Sequence, residues 1–187
     1  MMRKVLLIAL PFALVACGGP EDSANPDEPV TEVTSADERL TDAKLVVSAD
    51  GVGAKGSEPL RFGATREEVD AMAAQAFGSE GEESSNVECG AGPMDFSQYG
   101  PLQLAFLDGK FAGWFLREGE AVATSDGVRP GVSTLDALKG ERQVQELDTT
   151  LEGEFQYTTA DYGTITGFAD EAGEIDALQA GVSCFFR

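Results

Sequence analysis

FGATREEVDAMAAQAFG, residues 62–78, and LQLAFLDGKFAGWFL, residues 102–116, carry the signals that decide the fold class of this chain. In the first, Thr65 has the short hydroxyl side chain that caps a helix, and Glu68 three residues on completes a capping box. Val69, Met72, Ala73, Ala76 and Phe77 then recur on one helical face, and Gly78 is the residue type that ends a helix in the left-handed conformation. In the second, two apolar runs flank Asp108-Gly109, a pair favoured in two-residue hairpin turns. Ser79 to Asn86, between them, reads as a polar, acid-rich loop. A helix followed by strands points to an α+β domain.

The second half of the chain repeats these signals. Ser125-Asp126-Gly127-Val128 echoes Ala49-Asp50-Gly51-Val52. Gly131-Val132-Ser133 with Asp136 echoes Gly63-Ala64-Thr65 with Glu68, and Leu135 and Leu138 supply a short apolar stripe. Strands are expected at 153–157, 162–168 and 175–186, with a turn near Glu171-Ala172-Gly173. Gly109 and Gly173 are 64 residues apart and Gly63 and Gly131 are 68 apart. The near-constant offset suggests a duplicated helix-then-strands unit, with pseudo-repeats at about 44–118 and 119–187. Neither half alone has much core, so the expectation is one α+β domain, 44–187, with two helices packed on one face of a shared antiparallel sheet.

The chain has 187 residues, 13 Lys+Arg against 33 Asp+Glu and a formal net charge of −20. Such a molecule is repelled by phosphate backbones and anionic headgroups, so nucleic acid is not an expected partner. Histidine is absent. That removes histidine general bases, Ser-His-Asp and Cys-His pairs, and every zinc site that needs imidazole.

The start of the chain supplies an address. Met1-Met2-Arg3-Lys4 is basic, and Val5 to Ala16 is apolar apart from Pro11. Twelve helical residues reach about 18 Å, short of a ~30 Å hydrocarbon core, and fit a secretory signal peptide over 1–16. Leu14-Val15-Ala16-Cys17 resembles the lipobox of bacterial lipoproteins, in which the cysteine is acylated. The resemblance implies membrane attachment through acyl chains on Cys17. Gly18 in place of Asp resembles the sorting signal for the outer membrane, facing the periplasm. Residues 18–43, with Pro20, Pro26, Pro29 and repeated acids, read as a disordered acidic tether.

Cys89 and Cys184 remain. In an oxidising compartment two leftover cysteines pair, which makes Cys89–Cys184 the expected disulfide. The alternative is a reactive Cys89 thiol in a Gly-rich loop. No histidine and two upstream acids, Glu83 and Glu88, leave nothing there to lower its pKa. Asp50 to Glu58 has the flavour of a calcium loop but lacks alternating acids, so no metal ligand is assigned. No dinucleotide or Walker fingerprint is present, and no cofactor is expected. Phe111, Trp114, Phe115, Phe185 and Phe186 fall at strand spacing and read as core.

ECGAGPMDF at 88–96, AGVSCFFR at 180–187 and the LDGKFAGW hairpin resemble a group of short, uncharacterised bacterial lipoproteins often labelled aspartate-semialdehyde dehydrogenase. Enzymes of that name combine a dinucleotide domain with a Cys/His pair. Neither occurs here, so no catalytic residue is carried over. The repeated G-x-[ST]-x-x-[ED] pattern resembles, more loosely, periplasmic modules of the β-lactamase-inhibitor and outer-membrane-assembly lipoprotein type, which act by protein contacts. The expectation is a non-catalytic envelope lipoprotein, a tethered module for protein binding or envelope maintenance. Two alternatives stand beside it: an enzyme with a carboxylate or thiol mechanism, and a divalent-cation or ligand-binding module.

Replacing Cys17 by Ser is expected to abolish acylation and move the protein from the membrane pellet to the soluble fraction. Fractionation with immunoblotting reads this directly, and unchanged pelleting would refute the anchor.

Overall fold

The computed structural model describes Leu40 and residues 42–184. The expected signal peptide, Cys17, most of the expected tether, Phe185 and Phe186 lie outside the described residues. The elements run β1 (Leu45–Ser48), β2 (Gly51–Ala54), β3 (Leu60–Arg61), α1 (Arg66–Phe77), β4 (Glu82–Asn86), β5 (Met94–Tyr99), β6 (Leu102–Leu107) and β7 (Lys110–Arg117). They continue with β8 (Val122–Thr124), α2 (Leu135–Glu141), β9 (Val144–Glu146), β10 (Glu154–Thr158), β11 (Thr164–Ala169) and β12 (Ile175–Gly181). The fold is α+β and mostly sheet. Where one sheet was expected there are two: an eight-stranded antiparallel sheet in the order β4-β5-β6-β7-β12-β11-β10-β9, and a four-stranded one in the order β3-β2-β1-β8. In the small sheet β1 and β8 run parallel, so the chain between them has to cross over, and α1 lies within that crossover.

Helix α1 begins and ends where its sequence dictates. Glu68 N–H donates to Thr65 Oγ1 at 3.3 Å, and Thr65 N–H donates back to the Glu68 carboxylate at 2.9 Å. The Thr65 hydroxyl also donates to that carboxylate at 2.6 Å, and this bond first, then the one from Thr65 N–H, holds the Glu68 carboxyl below its ordinary pKa. Gly78 stops the helix with φ +76°. On the core side Val69 and Ala73 are fully buried. The helix is also tied down by polar groups: Tyr99 Oη donates to the Asp70 carbonyl at 3.2 Å, and Ser97 Oγ donates to Asp70 Oδ2 at 3.1 Å. Burial, with the charge of Asp70 second, raises the Tyr99 phenol to about 12.

The order helix, then four antiparallel strands, occurs twice along the chain, and β7 and β12, the last strand of each run, pair at the centre. Each helix start is stitched to the final hairpin of its own run. Arg66 N–H donates to Gly109 O at 3.0 Å and Phe111 N–H to Ala64 O at 2.8 Å; Leu135 N–H donates to Gly173 O at 2.9 Å and Ile175 N–H to Ser133 O at 3.0 Å. These bonds align Thr134, not Ser133, with Thr65. Thr134 is indeed the cap, its hydroxyl accepting from Ala137 N–H at 3.3 Å. One extra residue before the second helix shifts the sequence echo by a position.

The sequence reading also missed β4. Glu82–Asn86 is exposed throughout and forms the sheet edge, paired only to β5. A polar edge strand has no apolar alternation to reveal it, and its acids discourage pairing with another chain. The core lies between the large sheet on one side and the helices with the small sheet on the other. Leu102, Leu104, Trp114, Leu116, Ile165 and Leu178 from the large sheet meet Leu45, Val47 and Val52 from the small one, Val69 from α1 and Leu138 from α2. Trp114 Nε1 donates to Ser48 O at 2.8 Å, joining the two sheets directly.

Strand alternation can be checked at two neighbouring positions. Leu116 is fully buried in the core, whereas Phe115 is half-buried on the opposite face. Leu116→Ala is expected to cost about 2–5 kcal/mol in urea denaturation, and Phe115→Ala clearly less. The reverse order would contradict the face assignment.

Candidate functional site

The face of the large sheet turned away from the helices carries an unusual row. The strand registers place Glu82, Gln98, Gln103, Phe115, Gln179, Thr166, Gln156 and Gln145 side by side across all eight strands. Each takes this face because its strand neighbours, such as Leu102 and Leu104 or Leu178 and Ala180, point into the core. After Glu82 the row holds no charge, in a chain of which a quarter of the residues are charged. Amides and a hydroxyl provide both donors and acceptors without the desolvation cost of ions. Some are satisfied within the row: Gln156 Nε2 donates to Thr166 Oγ1 at 3.4 Å. Gln179, at the centre, is only 5% exposed, and its Oε1 has no hydrogen-bond partner among the described residues.

Beside Gln179 lies an open recess of about 520 Å³ over β7, β12 and β11. Phe115, Phe168 and Ala177 belong to it, with Leu151 contributed by the loop before β10. Arg117, Glu118 and Asp176 complete its lining. The Arg117 guanidinium sits 5.3 Å from the centroid of the Phe115 ring, a cation–π contact that holds the aromatic side chain in place. The recess can receive one apolar side chain, with hydrogen-bonding groups alongside it.

Part of the same face is already covered. Cys89 and Cys184 form a disulfide. Cys89, Met94, Phe96 and Ala105 build a second, small apolar cluster, against which Leu107 and Cys184 pack. Beyond β12 the chain turns over the sheet at Gly113, where an added Cβ would lie 2.3 Å from Val182 O. Val182 N–H donates to Ala112 O at 2.9 Å. The disulfide therefore straps the end of the described chain across β5–β7, while the recess on the β12 side stays open. A groove of about 410 Å³ runs along the strap between Asn86, Phe96, Phe115 and Ser183.

Sequence reasoning placed Phe115 in the core with Phe111 and Trp114. The structure buries Phe111 and Trp114 but turns Phe115 to the outer face: Trp114 and Phe115 are adjacent and point in opposite directions. The irregularity in the β6–β7 register between Ala105 and Phe106 changes the phase, so that Phe111, four positions from Phe115, faces the core. The amide row was overlooked. Its signal was present: Gln103 in LQLAF, Gln156 in EFQYT and Gln179 in DALQA each interrupt an apolar strand at the phase opposite the core. Asp50 to Glu58 forms β2 and the turn toward β3. Among the described residues no group of three or more Asp, Glu or Cys is arranged to hold a metal ion, and no helix is long and apolar enough to cross a membrane. The geometry thus defines an α+β domain with one helix-covered face and one amide-rich, partly strapped face. No family model, curated protein or solved structure matches the chain.

The bond between Cys89 and Cys184 spans 95 residues of sequence. In the chain-entropy account its loss removes about 4–5 kcal/mol of stability. A Cys89→Ser, Cys184→Ser double variant is expected to show that deficit in equilibrium urea unfolding under non-reducing conditions. A difference below about 1 kcal/mol would mean that the strap contributes little.

Proposed function

We propose that this chain is a non-catalytic lipoprotein of the bacterial envelope, held by acyl chains on Cys17 to the outer membrane facing the periplasm, and that its domain binds another envelope protein through the open sheet face. The observation that carries this reading is the buried, unpaired Gln179 Oε1 beside the apolar recess. An orphan acceptor at the middle of a sheet face costs about 1–3 kcal/mol until a donor meets it. A partner that places an apolar side chain against Phe115 and Phe168 and an N–H on Gln179 satisfies both features. The excess of acids over bases in the chain, 33 against 13, adds a third requirement, a surface with basic residues around that contact. The lipobox resemblance supplies the anchor and the acidic segment before the domain supplies the leash, which keeps the domain at high local concentration near membrane-bound partners.

Photocrosslinking in intact membranes tests the reading with the full-length protein. A photoreactive benzoylphenylalanine replacing Phe168 is expected to give one discrete protein adduct. The same group replacing Val132, 63% exposed and next to α2, is expected to give none. Gln179→Met removes the orphan acceptor, so it should leave the fold as stable or more so while weakening the adduct about tenfold. Equal adducts from positions 168 and 132, or an adduct indifferent to Gln179→Met, would exclude this face as the contact.

A further inference from the structure

Tyr162 is 91% exposed and has φ +62°. It sits in the loop between β10 and β11. Neither fact has a structural explanation within the fold: the ring buries nothing, and the left-handed region costs a residue with a Cβ about 1–2 kcal/mol. Among the described residues the other non-glycine in that region is Asp108, a residue type that tolerates it. Yet the Tyr162 loop is firmly held. Tyr162 N–H donates to Thr159 O at 3.0 Å, and Thr159 N–H to Gly163 O at 2.8 Å. Ala160 N–H donates at 3.1 Å to Oδ1 of Asp126, which is buried and also accepts from Arg142 Nη2 at 3.2 Å. Gly163 permits close approach to the β1–β2 turn, since a Cβ there would lie 2.2 Å from that of Ala49. The strained ring is therefore presented in a fixed place.

That place is the edge of a cleft of about 750 Å³ between the loop and the small sheet, within the ~300–1,000 Å³ range of small-molecule sites. It shares no lining residue with the recess on the large sheet. Its charged lining residues are Asp50, Lys55, Arg61 and Asp161, two of each sign, in a chain with a net charge of −20. The Arg61 guanidinium pairs with the Asp50 carboxylate, which also accepts from Ser48 Oγ at 3.0 Å. An anionic ligand would meet Asp50 and Asp161, and a cationic one Lys55 and Arg61. A neutral ligand rich in hydroxyl groups meets complementary donors and acceptors on every side. An aromatic ring at the edge of such a cleft offers its electron-rich face to the C–H groups of a sugar ring.

We propose that this cleft binds an uncharged oligosaccharide, with Tyr162 as the stacking platform and the Asp50–Arg61 pair as the hydrogen-bonding group beneath it. The reading is independent of the protein contact on the large sheet. Nuclear magnetic resonance titration of the full-length protein in detergent with chitotriose, maltotriose and cellotriose tests it. At least one of these trisaccharides is expected to bind at millimolar concentration or below, shifting the amides of Asp161–Gly163 and of Asp50–Gly51. Tyr162→Gly relieves the backbone, so it should preserve or raise the melting temperature while weakening binding roughly tenfold. Tyr162→Trp should keep binding, and Phe168→Ala should leave it unchanged. If none of the three trisaccharides binds, or if Tyr162→Gly binds as tightly as the parent, the proposal fails.

Discussion

The antiparallel pairing of β7 with β12 is the constraint on which the rest of the molecule depends. It joins two runs of four strands, each of which has an apolar side too small to exclude water alone. Leu116 meets Leu178, and Trp114 meets Ala180, across this seam. Because the pairing is in register, every core residue of one run lies on the same side as those of the other. One continuous sheet face is then covered by both helices and by the small sheet. Trp114 adds the link that fixes the small sheet in place, its indole N–H reaching Ser48 O.

Committing one side of the sheet to the core leaves the other side to be managed. The fold does so unequally. Over β5–β7 the disulfide strap and a small cluster around Met94 and Phe96 close the face. Over β12, β11 and β10 no helix or strand among the described residues closes it, and it presents amides, threonines and Phe168, with Glu154 in register with Phe168 and Asp176 at the recess. A sheet face meant only for solvent has no reason to hold Gln179 dry with an unpaired oxygen. The same contrast appears at the β10–β11 loop, where a tyrosine occupies a backbone conformation suited to glycine. In both places local preference is overridden, and it is these two departures that motivate the proposed contacts.

Much of this architecture was legible beforehand. Thr65, Glu68 and Gly78 define α1 because capping is a local event, settled within a few residues. Asp108-Gly109 defines its hairpin for the same reason. Alternation placed β10 and β11 to within two residues at each end and β12 at its start, but the expected run to 186 overshoots the end of β12 at Gly181. What escaped detection had no local signature. β4 is an edge and polar on both sides, and β8 and β9 are three residues each.

By itself the sequence determined the α+β class, the first helix with its caps, the central hairpin and the absence of imidazole chemistry. Each of these follows from residue type or from interactions between near neighbours. Only the tertiary structure decided that the strands divide between two sheets, that β7 and β12 meet, and that Gln103, Gln156 and Gln179 share one row with Phe115. Those facts depend on register between distant segments, and register is set by how whole apolar faces pack, which no short window of sequence contains.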